Sequence, residues 1–188
     1  MKITRITNRP ESETFNIRGF WKIIERIALF SEKSIDPFAR NTGNKFPDLN
    51  LLNSHSEHIT NDLNEECKTD HHLDALTFLG MFENRSKDLV LFDPPYSLRQ
   101  VKECYNSVGI DNMTQHQSNY WYSDLKDEIA RIVVPGGVVI SFGWNSNGMG
   151  ESRNFEKLEI VICSHGGNHN DTIMTIERKR NDLLGYCE

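Results

Sequence analysis

The sequence has no long hydrophobic run and few cysteines, and each absence argues against a class of protein. No stretch of its 188 residues approaches the length of a transmembrane helix. The first fifteen residues also lack the apolar core of a signal peptide, so we expect a cytoplasmic protein. The cysteines are widely spaced and form no C-x-x-C pair, which argues against a disulfide framework or a zinc knuckle; they are Cys67, Cys104, Cys163 and Cys187.

Positive charge is also in short supply. The chain has 21 lysines and arginines against 27 aspartates and glutamates, for a formal net charge of -6. Contacts with phosphates favour a basic surface, so this balance argues against strong non-specific binding of nucleic acid by the chain alone. A local basic patch can coexist with a negative total. The run Arg178-Lys179-Arg180 is one candidate, although a solvated strand end explains it more simply.

Hydrophobic patterning predicts strands that alternate with helices along a single domain of residues 1–188, preceded by an extended arm at residues 1–15. Such alternation favours an α/β fold with a mostly parallel central sheet flanked by helices. Two final β runs joined by a loop indicate a C-terminal antiparallel hairpin. Helices are predicted at residues 17–30, 75–82, 101–107 and 118–134; strands are predicted at residues 34–36, 58–61, 71–73, 88–92, 138–142, 158–164 and 172–178. Pro135-Gly136-Gly137 is expected to end the last helix.

Four acidic residues each follow a predicted strand: Asp36, Asp62, Asp74 and Asp93. The carboxyl ends of parallel strands meet at one edge of a sheet, and ligands of α/β proteins bind at that edge. We therefore expect the four carboxylates to gather there.

The tetrapeptide Asp93-Pro94-Pro95-Tyr96 follows an apolar run that is typical of a strand buried on both faces. An aromatic amine is a poor nucleophile because its lone pair is delocalised into the ring. The Asp93 carboxylate and the Pro94 carbonyl can accept hydrogen bonds from the amino group and localise that lone pair. The prolines hold these acceptors in place before reaction, and Tyr96 offers a ring on which an extruded base can stack. A rigid turn after a strand is the structural alternative.

The tetrapeptide and the order of elements resemble the Rossmann-like, S-adenosylmethionine-dependent methyltransferases that modify amino groups of nucleic acids. This resemblance implies a Rossmann-like methyltransferase fold, S-adenosyl-L-methionine as cofactor, and transfer of a methyl group to N6 of adenine in DNA. Asp93 favours adenine, because the enzymes that methylate N4 of cytosine more often begin the motif with serine. Two alternatives remain open: an RNA guanine-N2 methyltransferase, and a catalytically silent methyltransferase-like subunit of a complex.

The resemblance also implies a cofactor site. Its residues would be Asp36, Pro37, Phe38 and Ala39 after the first strand, Asp62 and Leu63 after the second, Asp74 and Ala75 after the third, and Asp93. The family commonly has Asp-x-Phe-x-Gly-x-Gly at the first of these places, and here Arg40 and Thr42 replace both glycines. Asp36, Asp62 and Asp74 could instead cap helices or turns.

Target recognition is expected from residues near the catalytic loop, because 188 residues leave no room for a separate recognition domain. The candidate substrate contacts are Tyr96, Ser97, Arg99, Asn145, His165 and Asn168. The expected partner is DNA, with RNA as the alternative. The chain would be either loosely specific or dependent on a homo-oligomer or a second subunit that supplies target recognition. The histidines lack the spacing of metal ligands, so no metal site is predicted.

Overall fold

A computed structural model of the chain describes residues 1–11, 13–41, 57–110, 115–167 and 169–181, with the side chains of residues 115–118 excepted. The strands are β1 (Lys2–Thr7), β2 (Lys33–Asp36), β3 (Glu57–Thr60), β4 (Lys87–Phe92), β5 (Val133–Gly143), β6 (Phe155–Ser164) and β7 (Thr172–Lys179). The helices are α1 (Arg18–Ala28), α2 (Ala75–Gly80), α3 (Leu98–Ser107) and α4 (Gln115–Ile132).

The strands form one seven-stranded sheet in the order β1-β6-β7-β5-β4-β2-β3. All neighbouring strands are parallel except at β7, which runs antiparallel to both β5 and β6. The predicted α/β class, the mostly parallel sheet and the C-terminal hairpin are therefore confirmed. The segment predicted as an extended arm contains β1, which pairs with β6 and forms one edge of the sheet.

Two hydrophobic cores cover the two faces of the sheet, and alternation along β4 supplies both. Leu89 and Leu91 pack towards α1, while Val90 and Phe92 pack towards α2, α3 and α4. This arrangement explains why the last four residues of β4 are all apolar, since a strand covered by helices on both faces has no solvent side. The loop after β4 is thereby fixed at the edge of the sheet.

Two sequence predictions were wrong. Residues 71–73 do not form a strand, because His71 makes only an isolated bridge with Asn61. Pro135-Gly136-Gly137 does not separate α4 from β5, since α4 ends at Ile132 and β5 begins at Val133. The three residues instead lie in an irregular part of β5, where the pairing with β4 shifts register and Gly136 adopts a φ of +85°. The motif that was expected to end the helix therefore lies within a strand, where a β-bulge accommodates it.

The topology reverses direction between β2 and β4. From β2 the chain proceeds outward to β3 and then returns to form β4 on the other side of β2. Loops after adjacent strands diverge at such a point and leave a crevice at the carboxyl ends of the strands. Asp36 ends β2 and Asp93 follows β4, so the tetrapeptide lies at this crevice.

Candidate active site

A cavity of about 900 Å³ opens at the carboxyl edge of the sheet. Its walls come from the loops after β2, β3, β4 and β5, from the β6–β7 loop, and from the segment that precedes α1. Asp93, Pro94, Pro95 and Tyr96 all line it. The structure therefore brings the sequence-predicted catalytic loop to this cavity.

The Asp93 carboxylate is held by two hydroxyl groups. The Tyr96 hydroxyl donates to Asp93 Oδ1 at 2.7 Å, and the Thr14 hydroxyl oxygen lies 3.1 Å from that of Tyr96. Thr14 belongs to a short 3₁₀ turn, Thr14–Asn16, between β1 and α1. These contacts turn the Tyr96 phenol back onto the carboxylate, and the edge of its ring packs against Trp144 with centroids 5.7 Å apart.

The rest of the tetrapeptide is fixed through its backbone. The Tyr122 hydroxyl donates to the Pro95 carbonyl at 2.6 Å, and the Tyr96 N–H donates to the Gln100 side chain at 2.8 Å. Among the described residues, none donates a hydrogen bond to the Pro94 carbonyl. The loop thus combines the Asp93 carboxylate with a carbonyl, that of Pro94, to which no described group donates, on a restrained backbone.

Burial raises the pKa of Asp93 to about 6, because a charged carboxylate loses its hydration there. The hydroxyls of Tyr96 and Thr14 and the positive charge of Arg40 act in the opposite direction. At pH 7 most Asp93 side chains are therefore ionised and can accept hydrogen bonds. Burial also raises the pKa of Tyr96, so its hydroxyl keeps its proton and remains a donor.

The loop after β2 lines the cavity with Pro37, Phe38 and Arg40, whereas Asp36 and Ala39 are buried behind it. Asp36 Oδ1 accepts from the Phe38 N–H at 2.9 Å, which stabilises the turn. Among the described residues Oδ2 of Asp36 has no partner. Burial raises the pKa of Asp36 well above its ordinary value. The hydrogen bond from the Phe38 N–H lowers this pKa, whereas the negative charges of Asp93 and Asp62 raise it further.

Arg40 has a φ of +49°, in the left-handed region that favours glycine. This is the first of the two places where glycine is commonly found in the family that the tetrapeptide resembles. The turn therefore keeps a glycine-like backbone although the side chain has changed, at a cost of about 1 kcal/mol. The second replaced glycine, at Thr42, lies outside the described residues.

The loop after β3 contributes Asp62 and Leu63 to the cavity. Asp62 accepts hydrogen bonds from the Arg40 N–H at 3.1 Å and from the Asn64 N–H at 2.9 Å. Its carboxylate therefore connects the loops after β2 and β3, and the side chain faces the cavity. A ligand with hydroxyl groups could donate to the remaining lone pairs of this carboxylate.

Asp74 lies outside the cavity lining, while its neighbour Ala75 is part of it. Asp74 caps α2 by accepting hydrogen bonds from the Leu76 and Thr77 N–H groups. It also accepts from the Tyr105 hydroxyl. The carboxylate is thus engaged in structure, as the alternative interpretation as a helix cap predicted.

The candidate substrate residues are spread over several places. His165 lines the cavity with Tyr96, but its ring nitrogens contact the Asn8 carbonyl and the Thr172 hydroxyl. Ser97 caps α3, and Arg99 pairs with Glu103 on an exposed surface. Asn145 lines a second recess of about 260 Å³, which Pro94, Pro95 and Tyr96 also line. Asn168 lies outside the described residues.

Two buried side chains that sequence patterns did not reveal anchor the loops around the cavity. Asn61, only 1% exposed, donates to the carbonyls of Pro37 and Leu73 and accepts from the Leu73 N–H. Glu177, also 1% exposed, accepts from two backbone N–H groups of the loop after β5, those of Met149 at 2.5 Å and of Gly150 at 3.2 Å. Both act over long sequence separations, so no local motif identifies them.

No group of three histidine, cysteine, aspartate or glutamate side chains within the described ranges could hold a metal ion. No described helix has the length and apolar character to cross a bilayer. Cys67, Cys104 and Cys163 carry free thiols, and Cys187 falls beyond the described residues.

Solved structures that share this architecture include the following three. TrmN from Thermus thermophilus is 16% identical with a TM-score of 0.56, over 84% of this chain and 47% of that one, so the chain spans about half the length of TrmN. The N-methyltransferase NodS from Bradyrhizobium japonicum WM9, in complex with S-adenosyl-L-homocysteine, is 12% identical with a TM-score of 0.55, over 91% and 90% of the two chains. A SAM-dependent methyltransferase from Archaeoglobus fulgidus is 10% identical with a TM-score of 0.59, over 87% and 93%.

No family model and no curated protein matches the sequence. The likeness to solved structures therefore concerns the fold. The chain has a Rossmann-like methyltransferase fold, as the resemblance of its catalytic loop implied.

Proposed function

We propose that the chain is an S-adenosylmethionine-dependent methyltransferase that methylates an exocyclic amine, namely N6 of adenine in DNA, by direct attack from a flipped base. The observation that carries the proposal is the catalytic loop. Asp93, ionised at pH 7, and Pro94, whose carbonyl accepts no hydrogen bond from the described residues, both line the cavity on a backbone held by Tyr122 and Gln100.

These two acceptors suit an aromatic amine. An amino group has two hydrogens, so one can be donated to Asp93 and the other to Pro94 while the lone pair stays directed elsewhere. Preorganised acceptors act without further rearrangement at the moment of reaction. The cofactor would supply the methyl group and its sulfur would keep the electrons of the broken bond, while the amine nitrogen that accepts the methyl group must lose a proton. With a pKa of about 6, Asp93 can receive that proton and release it to water.

The cavity also suits the cofactor, which would supply an electrophilic methyl group on a positively charged sulfur. Three of the carboxylates that line the cavity, Glu11, Asp62 and Asp93, would favour a cation. Phe38 offers an apolar wall between Phe92 and Trp121. NodS, which shares the fold, was solved with S-adenosyl-L-homocysteine. We assign cofactor contacts to Pro37, Phe38, Asp62, Leu63 and Ala75, with Asp36 and Asp74 supporting them from behind.

The nucleic-acid part of the proposal is supported by the aromatic rim. Trp144 is 42% exposed and packs on Tyr96, so a planar base can meet an aromatic surface beside the acceptors. Extrusion of a base costs a few kcal/mol, which such stacking offsets. Because the net charge is -6, we further propose that a second subunit or a second copy of the chain contributes to DNA binding.

The decisive experiment follows radiolabelled methyl transfer from S-adenosylmethionine to DNA and RNA, with nucleoside analysis of the products. We expect labelled N6-methyladenine in DNA, and a fall of at least a hundredfold in rate for Asp93→Asn because one acceptor loses its charge. Asp127→Asn, the same change on an exposed part of α4, should leave the rate within about twofold.

Three outcomes would contradict the proposal in different ways. Label confined to N2-methylguanine of RNA would show that the substrate is RNA guanine and not DNA adenine. Calorimetric binding of the cofactor without transfer to any pool would favour a silent subunit. Absence of cofactor binding, by the chain alone and with a partner, would overturn the enzyme assignment itself.

A further inference from the structure

A hydrogen-bonded chain links the N-terminal segment to the catalytic loop. It runs from the Thr14 hydroxyl to the Tyr96 hydroxyl over 3.1 Å and from there to Asp93 Oδ1 over 2.7 Å. Thr14 and Asp93 are far apart in sequence, and both line the cavity. The contact is therefore made only when the segment before α1 is folded against the sheet.

The direction of the hydrogen bonds follows from the number of hydrogens. The phenol of Tyr96 has a single hydrogen, which it donates to Asp93. In the second contact the phenol oxygen must then accept, so Thr14 is the donor. Both hydrogens point towards the carboxylate, and an arrangement of donors in series strengthens the last hydrogen bond.

Thr14 is held in place by its neighbour. Phe15 is 3% exposed and packs edge-on against Phe142 of β5, with ring centroids 5.5 Å apart. The Thr14 carbonyl accepts from the Ile17 N–H at the start of α1. The hydroxyl is therefore presented by a segment anchored in the core.

We propose that Thr14 is a positioning residue that, together with Tyr96, holds Asp93 as the hydrogen-bond acceptor for the substrate amine. This inference rests on the proposed function for its chemical purpose. Its physical content, an effect of a remote hydroxyl on the Asp93 carboxylate, can be measured without any substrate.

Asp93 has other charged and titratable neighbours, and the test must keep them unchanged. Asp36 from β2 and Arg40 from the loop that follows are coupled to it electrostatically, and Tyr96 lies on its own loop. Thr14 is uncharged, so its replacement alters no charge in the site. Thr14→Val removes the hydroxyl at nearly constant volume, and Thr14→Ser restores it without the methyl group.

The first measurement is a titration of the Asp93 carboxyl by carbon-13 NMR of the ligand-free protein, assigned with Asp93→Asn. Loss of one supporting hydrogen bond should raise the midpoint by about half a unit to one unit in Thr14→Val. In Thr14→Ser the midpoint should stay within about 0.2 units of wild type. An unchanged midpoint in a folded Thr14→Val protein would overturn the inference.

The second measurement is a double-mutant cycle with Tyr96→Phe. If part of the effect of Thr14 passes through the phenol, Thr14→Val should shift the midpoint less in the Tyr96→Phe background than in wild type. Additive shifts would show that Thr14 and Tyr96 act on Asp93 independently and would overturn the relay.

A kinetic readout separates this inference from the proposed function. In Thr14→Val the acid limb of the kcat profile should move to higher pH by the same amount as the NMR midpoint, with KM for the cofactor unchanged. The expected NMR shifts without methyl transfer in any variant would support the relay and count against the proposed function. Methyl transfer with the same pH profile of kcat in Thr14→Val and wild type would support the proposed function and count against the relay.

Discussion

Replacement of Asp93 by asparagine is expected to stabilise the protein above pH 6, although it removes the proposed acceptor. The substitution keeps the shape of the side chain and an oxygen that can accept from Tyr96, but it removes a buried negative charge. The structure places that charge where burial outweighs the help of nearby donors, since the pKa of Asp93 is raised from 3.8 to about 6.

The sign and size of the effect follow from proton binding. Between pH 3.8 and about 6 the folded chain holds a proton on Asp93 more often than the unfolded chain does. The contribution of Asp93 to stability is therefore greatest below pH 3.8 and is lost as the pH rises through about 6. The two pKa values correspond to a loss of about 3 kcal/mol, against about 5–15 kcal/mol for the stability of a typical domain.

The assay is urea unfolding of wild type, Asp93→Asn and Asp127→Asn at pH 4 and pH 8. Relative to wild type, Asp93→Asn should gain about 2–3 kcal/mol between the two pH values, because only wild type must bury the charge. Asp127→Asn removes a charge from an exposed ion pair with Arg153 and should change stability by less than about 1 kcal/mol. A difference between wild type and Asp93→Asn that does not change with pH would refute the electrostatic reasoning.

Three further changes test the anchors around the cavity by urea unfolding. Glu177→Gln should lower the free energy of unfolding by about 2–4 kcal/mol, because a buried backbone N–H then faces an amide NH₂ group. The control Glu156→Gln, in a half-exposed ion pair, should lower it by less than about 1 kcal/mol. Gly148→Ala should cost at least about 2 kcal/mol, since a Cβ there would lie 2.0 Å from a Glu177 carboxylate oxygen at a φ of +56°; a normal midpoint would contradict that contact. Asn61→Leu should cost about 3 kcal/mol because three backbone groups lose their partner, and a smaller loss would mean that water replaces the amide.

The fold was predictable because its information is local. The run from Leu89 to Phe92 is apolar at every position, and the structure buries it between helices on both faces. Asp36 at the end of β2 and Asp93 after β4 then mark the carboxyl edge, where the rule for α/β sheets places ligands. The apolar run and these acidic residues were sufficient to predict that the tetrapeptide lies at the ligand-binding edge of the sheet.

The supporting contacts were not predictable because each depends on distant chain segments. Nothing around Thr14 or Glu177 in the sequence indicates that the first meets Tyr96 and the second meets the loop after β5. Prediction from local sequence also failed where pairing between distant strands outweighed the local preference for a turn. Pro135-Gly136-Gly137 reads as a stop, but pairing with β4 and β7 draws its surroundings into β5.

The loop Asp93–Tyr96 combines an unfavourable buried charge with a backbone that is held by hydrogen bonds, and the two properties belong together. A poorly hydrated carboxylate would move to a position with better access to water if its loop were free to move. Tyr122 and Gln100 hold the loop by its backbone, and Thr14 reaches the carboxylate through Tyr96. These contacts come from α4, α3 and the segment before α1, so the cost of keeping Asp93 in place is spread over the domain. A substrate amine would then meet acceptors whose desolvation is already complete, which is the condition under which hydrogen bonds contribute most to catalysis.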